Sequence, residues 1–213
     1  MNKKKNNTPA LSPTQLAYGE LQQAYDFFNQ TLFGERLPPC LITYQRKNRT
    51  YGYFSGDRWA GGKKIADEIA MNPMHFNERT QGEVLSTLVH EMVHLEQHHF
   101  GTPSRSGYHN KEWASWMERV GLIPSNTGEP GGKQTGQQMT HYIAPSGAFE
   151  KAFGELTGTG FKLSWVDRAA EGGSAAPRTT RTKYTCPGCG LNIWAKPDIR
   201  VACLDCENEL MAS

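Results

Sequence analysis

Long hydrophobic runs are missing from this sequence. No stretch reaches the roughly 18 consecutive apolar residues of a membrane-spanning helix, so we expect no membrane partner. The first residues include lysines but no apolar core behind them, which argues against a secretory signal and predicts a cytoplasmic protein. A strong charge of one sign is also missing. The formal net charge is only +2, so no overall field by itself indicates nucleic acid as the partner.

Cysteine is scarce, with five in 213 residues, yet four of them form the pairs Cys186-x-x-Cys189 and Cys203-x-x-Cys206. In a chain without a secretory signal, such pairs favour metal over disulfides. Four thiolates in this arrangement are typical of a closed, tetrahedral structural zinc site. A thioredoxin-like redox site would instead have one such pair in a βαβ context. We therefore predict a small zinc ribbon over 184–213 whose folding depends on the metal.

Composition predicts the domain organisation. Residues 1–12 are polar and are expected to form a disordered tail. A folded core is predicted over 13–167, followed by a linker of Ala, Gly, Ser, Arg and Thr over 168–183 and by the ribbon. Inside the core, residues 124–138 have little apolar content and predict a long, mobile loop.

Hydrophobic periodicity predicts an α+β core with an N-terminal helix, a small sheet of about three strands and further helices. Helix signals are clear at the ends, because Ser12 and Pro13 begin the first helix and Gly34 ends it. The predicted elements are helix 13–33, strands 40–44, 50–54 and 65–71, helices 82–100 and 110–120, and a last strand 161–166.

The sequence His90-Glu91-Met92-Val93-His94 lies inside the second predicted helix. Residues four apart share a helix face, so both imidazoles can reach one metal ion. Glu91 lies on the adjoining face, where it can serve as the general base of a zinc hydrolase. Buried histidines and a buried glutamate without partners would be costly, which favours a zinc site over simple packing.

A catalytic zinc ion usually has three protein ligands and one open position. His98 lies eight residues beyond His90, which is roughly 12 Å along the helix axis. One ion therefore cannot bind His90, His94 and His98 together on a straight helix. His99 fails for the same reason. The metzincin continuation is also excluded, because Gln97 and Phe100 occupy its glycine and histidine positions.

His109 is the favoured third ligand, since it follows a chain reversal that can return its imidazole to the helix. A carboxylate of the next helix, Glu112 or Glu118, remains the alternative. His141 is a further candidate, for which we expect a polar position on a strand rather than ligation.

Several segments resemble the SprT-like metalloprotease family of bacterial SprT and Spartan-like proteins. The similar segments are Tyr25-Asp26-Phe27-Phe28-Asn29, Leu32-Phe33, Leu37-Pro38, His90-Glu91-Met92-Val93-His94 and Gly107-Tyr108-His109-Asn110-Lys111-Glu112-Trp113. The last resembles the family's Gly-His-Gly-x-Glu-Phe, with Tyr108 inserted and Asn110 in place of the second glycine.

The resemblance implies a zincin-like metalloprotease core over 13–167, with zinc ligands His90, His94 and His109 and the catalytic residue Glu91. It also implies protein substrates that are bound or crosslinked to DNA, a DNA-repair setting, and DNA, single-stranded or damaged, as a second partner. Two zinc ions are expected, one catalytic and one structural. The oligomeric state stays open.

Two further expectations concern binding. The strand 65–71 precedes the His90 helix and is expected to be the sheet edge that aligns an extended substrate. In and before the ribbon, basic residues interleave with Tyr184 and Trp194, which suits single-stranded nucleic acid as well as simple packing and solvation. The basic residues are Arg178, Arg181, Lys183, Lys196 and Arg200. The alternative function is therefore a non-catalytic, nucleic-acid-associated or transcription-related zinc protein.

Overall fold

The structure is a computed structural model that describes residues 11–168 and 181–212. Contacts divide the chain into two compact units, Met1–Glu171 and Gly172–Ser213. Most of the predicted N-terminal tail and of the predicted linker lies outside the described residues, so both stay predictions. Among the described helices, none has the length and apolar character needed to cross a membrane.

Helix α1 (Pro13–Phe33) has the bounds that the sequence predicted. Ser12 and Gln15 form a capping box at its start, in which each side chain bonds the other's backbone N–H. Gly34 ends the helix with φ of 62°, a left-handed conformation that glycine adopts without steric cost. Leu21 and Phe28 on the apolar face of α1 are fully buried.

The main sheet of the first unit contains β1 (Leu41–Tyr44), β2 (Gly52–Gly61) and β3 (Lys64–Met71) in the order β1-β3-β2. Strand β1 is parallel to β3, and β2 is antiparallel to it. The prediction that 65–71 is the edge strand is therefore wrong. Strand β2 pairs with one side of β3 through a tight hairpin, and β1 pairs with the other side. Strand β3 is therefore central, and β2 lies at an edge of the sheet.

Helix α2 (Gln81–Phe100) is the most buried element of the first unit, and its start is fixed by a capping box between Thr80 and Glu83. Helix α3 (Lys111–Arg119) begins at the N-cap Asn110, whose side chain accepts from the backbone of Trp113. A fourth helix, α4 (Ala148–Gly158), packs on α1 and α2. Buried Leu, Val, Met and aromatic side chains from these helices and the sheet form one continuous core.

A two-stranded antiparallel sheet follows α3 and joins β4 (Leu122–Ser125) to β5 (Thr140–Ile143). The predicted strand over 161–166 is wrong, since this segment forms no strand in the described structure. Its backbone bonds side chains instead of a sheet. Leu163 N–H donates to Gln81 Oε1 at 2.8 Å, and Ser164 N–H donates to Glu20 Oε2 at 2.8 Å.

The second unit is built from short strands. They are β6 (Thr182–Thr185), β7 (Asn192–Ala195), β8 (Ala202–Cys203), β9 (Asn208–Glu209) and β10 (Met211–Ala212). The sheet order β10-β6-β7 is antiparallel throughout, and β8 pairs with β9. Among the described residues of this unit, the buried cluster consists of Tyr184, Cys186, Cys203 and Leu210. A core of this size offers little apolar burial to stabilise the unit.

Candidate metal centres

Helix α2 brings His90 and His94 to one face, with ring centroids 5.2 Å apart. The turn between α2 and α3 returns His109 to the same place, where its ring centroid lies 4.8 Å from that of His94. The three histidines offer one nitrogen each, and these atoms all lie within 4.8 Å of one another. The predicted trio is therefore assembled at one point of the fold.

The return of His109 depends on the segment between β4 and β5. His109 N–H donates to the carbonyl oxygen of Gly136 at 2.8 Å, and Gly136 N–H donates to that of His109 at 3.1 Å. The same Gly136 oxygen lies 3.1 Å from His109 Nδ1. A carbonyl only accepts, so His109 Nδ1 carries the proton and Nε2 keeps the lone pair for a metal. The long segment expected to be mobile thus orients a candidate ligand.

His141 contacts the trio, which the sequence did not predict. Its Nδ1 lies 3.0 Å from His90 Nδ1, and its Nε2 lies 2.8 Å from Ser86 Oγ. Ser86 donates its hydroxyl proton to the carbonyl oxygen of Glu83 at 2.9 Å. This bond fixes the direction of the other hydrogen bonds that link Ser86, His141 and His90. Ser86 accepts from His141 Nε2–H, His141 Nδ1 accepts from His90 Nδ1–H, and His90 Nε2 is left as the metal donor.

Burial keeps these imidazoles neutral. Desolvation lowers the pKa of His94 and of His141 to about 3, and it lowers the pKa of His90 and His109 as well. For His90, the neighbouring histidines add to the effect of burial. Neutral imidazole is the form that binds metal. The donors, their neutrality and the tautomers of His90 and His109 fit a zinc ion.

Trp113 forms the wall behind the trio. Its ring is fully buried and its centroid lies 5.0 Å from that of His90, 5.3 Å from that of His94 and 4.3 Å from that of His109. The indole stacks on His94 with 20° between the planes. A rigid aromatic wall restricts the rotamers of all three imidazoles. No pattern in the sequence indicated this contact.

Glu91 lines the open side of the same site. A cleft of about 790 Å³ is bounded by the start of β2, by α2, by the turn before α3 and by the segment entering β5. Burial raises the pKa of the Glu91 carboxyl to about 8, against the opposing effect of the Phe54 N–H that bonds it. Gly52 permits β2 to approach β3 and α2 closely. A Cβ at this position would lie 2.9 Å from the carbonyl oxygen of Ala70 on β3 and 3.0 Å from the side chain of Thr87 on α2.

The alternative third ligands have other roles. Glu112 Oε2 accepts from Gln97 Nε2 at 2.7 Å and from Thr102 N–H at 2.8 Å, which anchors the turn after α2. Glu118 Oε1 accepts from Gln134 Nε2 at 2.8 Å. Neither carboxylate joins the trio of donors.

The four cysteines of the second unit also converge. Their sulfurs lie within 4.8 Å of one another. Cys189 Sγ and Cys203 Sγ are 3.8 Å apart, far beyond the roughly 2.05 Å of a disulfide. Two sulfurs about 2.3 Å from one tetrahedral ion would be separated by about 3.8 Å. Backbone N–H groups of Cys189 and Gly188 help to lower the pKa of Cys186 to about 7. This donor set also fits zinc.

These features define a mixed helix-and-sheet protein with two groups of donors suited to zinc, one opening on a cleft and one closed. Residues 21–134 match the SprT-like family, so more than half of the chain is covered and the chain belongs to this family. The family is associated with a metallopeptidase-like function. Over 59 residues the chain is 63% identical to a Salmonella typhimurium protein described as an uncharacterized protein in the mucB 3′ region. That match covers 27% of this chain and 80% of that protein. The cysteine cluster lies outside the residues matched to the family.

Proposed function

We propose that this chain is a zinc-dependent endopeptidase with a zincin-like core. The observation that carries the proposal is the convergence of His90, His94 and His109 beside Glu91 in an open cleft. A closed structural site has no use for an acid–base group beside it, and the cleft leaves room for a peptide. Membership of the SprT-like family supports the same conclusion.

In the proposed mechanism, His90, His94 and His109 would hold a zinc ion through one ring nitrogen each, and the contacts with Trp113 restrict the rotation of their rings. Zinc held there would supply a Lewis acid for the scissile carbonyl and for the attacking water. Glu91 accepts the proton of the attacking water and delivers it to the leaving amine.

We further propose that β2 aligns the substrate. Tyr51, Gly52, Tyr53 and Phe54 line the cleft, and β2 is an edge strand. An extended peptide can add to such an edge through backbone hydrogen bonds, with little dependence on side-chain identity. This arrangement favours loosely folded protein segments over a single recognition sequence.

Glu91→Gln tests this function. The variant keeps the size of the side chain and the metal donors, so we expect unchanged zinc content and a loss of peptide hydrolysis of at least about 100-fold. The assay is cleavage of a loosely folded protein by the full chain. Glu155→Gln, the same change at an exposed position of α4, is the matched control. A fully active Glu91→Gln protein would refute the mechanism and favour the alternative of a non-catalytic, nucleic-acid-associated zinc protein.

For the second unit we propose a zinc ribbon that binds single-stranded or damaged DNA and brings the protease to DNA-associated proteins. Trp194 is 61% exposed and lies opposite Lys183 in the β6–β7 register, so both share one face. An exposed aromatic beside a cation suits base stacking and phosphate contact. Tyr184 is buried and its hydroxyl donates to the Lys196 carbonyl, so it supports the fold instead of stacking. Arg200 pairs with Glu209, and Arg178 lies outside the described residues.

A further inference from the structure

The C-terminal end of α2 meets the β2–β3 hairpin at a third group of metal-binding side chains. His98 and His99 come from the helix and Asp67 comes from β3, and their donor atoms all lie within 4.8 Å of one another. The proposed protease site uses none of them. His98 lies one helical turn, roughly 6 Å along the axis, beyond His94, and this group shares no residue with the histidine trio.

The distances within the group suit one small ion. His99 Nε2 lies 2.7 Å from Asp67 Oδ2, and His98 Nε2 lies 3.9 Å from Asp67 Oδ1. A fourth donor, Asp57 Oδ2 on β2, lies 3.6 Å from His98 Nε2. Two donors about 2.0 to 2.1 Å from one tetrahedral ion would be about 3.3 Å apart. The three observed separations lie on both sides of that value, so small side-chain rotations suffice.

Asp67 is the anchor of the group. Its side chain is only 6% exposed, although it carries a carboxylate. Asp57 N–H donates to Asp67 Oδ1 at 2.8 Å, which fixes the orientation of the carboxylate. A carboxylate has about four lone-pair positions, so acceptor capacity remains after this bond and the contact with His99. A buried carboxylate facing two imidazoles is stabilised by a shared cation.

The backbone of β2 leaves room for His98. A Cβ at Gly56 would lie 2.7 Å from Cε1 and 2.9 Å from Nε2 of the His98 imidazole. Glycine at this position therefore allows the ring to lie directly against the strand. The pairing of the strand is irregular around this glycine, between Ser55 and Trp59, and Asp57 has φ of 52°. This irregularity brings Asp57 close to the same imidazole.

We propose that Asp67, His98 and His99, with Asp57 as the exposed fourth donor, form a third binding site, for a divalent first-row transition ion such as zinc. Two imidazoles favour such an ion over magnesium or calcium, which prefer oxygen donors. The partly exposed side chains of His98, His99 and Asp57 provide an entry path. The bound ion joins α2 to both strands of the β2–β3 hairpin, and so fixes the strand that lines the cleft. The existence of this site is independent of the proposed proteolysis.

The test is a zinc titration of the metal-free full chain, with bound zinc counted by elemental analysis after removal of free ion. His98→Gln/His99→Gln should bind one zinc ion fewer per chain than the wild-type protein. It should also show a smaller rise in Tm on adding zinc. His75→Gln, a histidine outside all three donor groups, is the matched control and should bind as many ions as wild type.

An unchanged zinc count in a folded His98→Gln/His99→Gln protein would overturn the proposal and leave the group as a simple hydrogen-bonded cluster. Should that variant fail to fold, the variant Asp57→Asn tests the proposed site instead. Its side chain is 70% exposed and asparagine tolerates the left-handed φ, so the fold is preserved. We expect the most weakly bound zinc ion of this variant to have a Kd at least about tenfold higher than in the wild-type protein. Equal affinity for every equivalent would reject the site.

Discussion

The two proposed zinc sites, the histidine trio and the cysteine cluster, differ in the structure that surrounds them. Two of the three histidines stand on a helix that is buried along most of its length, in a unit with a large continuous core. The cysteine cluster belongs to a unit whose buried cluster has four members among the described residues, and two of these four are proposed ligands themselves. A large core can hold a site in place before metal arrives, whereas a small one cannot. We therefore propose that the fold organises the first site, whereas zinc held by the second site organises the fold around it.

The open and closed geometries agree with this contrast. Three histidines would leave one position of a tetrahedral ion free on the cleft side, where Glu91 lies. Four cysteines would fill all positions of such an ion. Chemistry requires an open position and a base, and a structural site requires neither.

Removal of zinc gives the largest expected effect and tests whether only the second unit depends on the metal for its fold. Chelation, or Cys203→Ser alone, should unfold the second unit, because structural zinc contributes about 10 kcal/mol or more to such modules. The first unit should keep its helices. NMR of the full chain would show collapse of the dispersed signals of residues 181–212 alone. Cys40→Ser, outside the cluster, is the control. Unfolding of both units together would show that the histidine site also organises its fold.

His141→Ala should have an intermediate effect, on zinc affinity, and it tests whether neighbouring residues of the fold orient the trio. The substitution removes the acceptor that fixes the tautomer of His90, so zinc affinity at the trio should fall about 10- to 100-fold. Ser86→Ala should act in the same direction but less strongly, since His141 remains. Competition with a chromophoric chelator measures both, with Thr140→Ala on the same strand as the control. An unchanged affinity in His141→Ala would mean that the relay has no influence on the metal.

Trp194→Ala should have the smallest effect on stability and a larger one on binding. The ring is mostly exposed, so the free energy of unfolding should change by no more than about 0.5 kcal/mol. Loss of a stacking platform should weaken single-stranded DNA binding by about 1 to 3 kcal/mol. Fluorescence anisotropy with a labelled oligonucleotide measures this, with Leu204→Ala as a control at another exposed apolar residue. Equal affinity of the two variants would remove Trp194 from the proposed DNA surface.

The elements that the sequence predicted well are those with strong local signals. Helix α1 has its predicted bounds because Ser12, Pro13 and Gly34 act on their own backbone neighbours. The strand expected over 161–166 is wrong because short apolar segments carry no information about whether a partner strand exists. The assignment of the sheet edge failed for a related reason, since strand order depends on long-range pairing and not on the strand's own residues.

The sequence by itself determined the chemistry of both proposed centres. Spacing of four on a helix pairs His90 with His94, and two Cys-x-x-Cys turns supply four thiolates, because both patterns act within a few residues. Only the tertiary structure decided that His109, and not Glu112 or Glu118, joins the trio, and that His141 and Trp113 support it. It also brought His98 and His99 to Asp67 on a distant strand. Contacts between residues far apart in the chain follow from packing of the whole core, which no local pattern encodes.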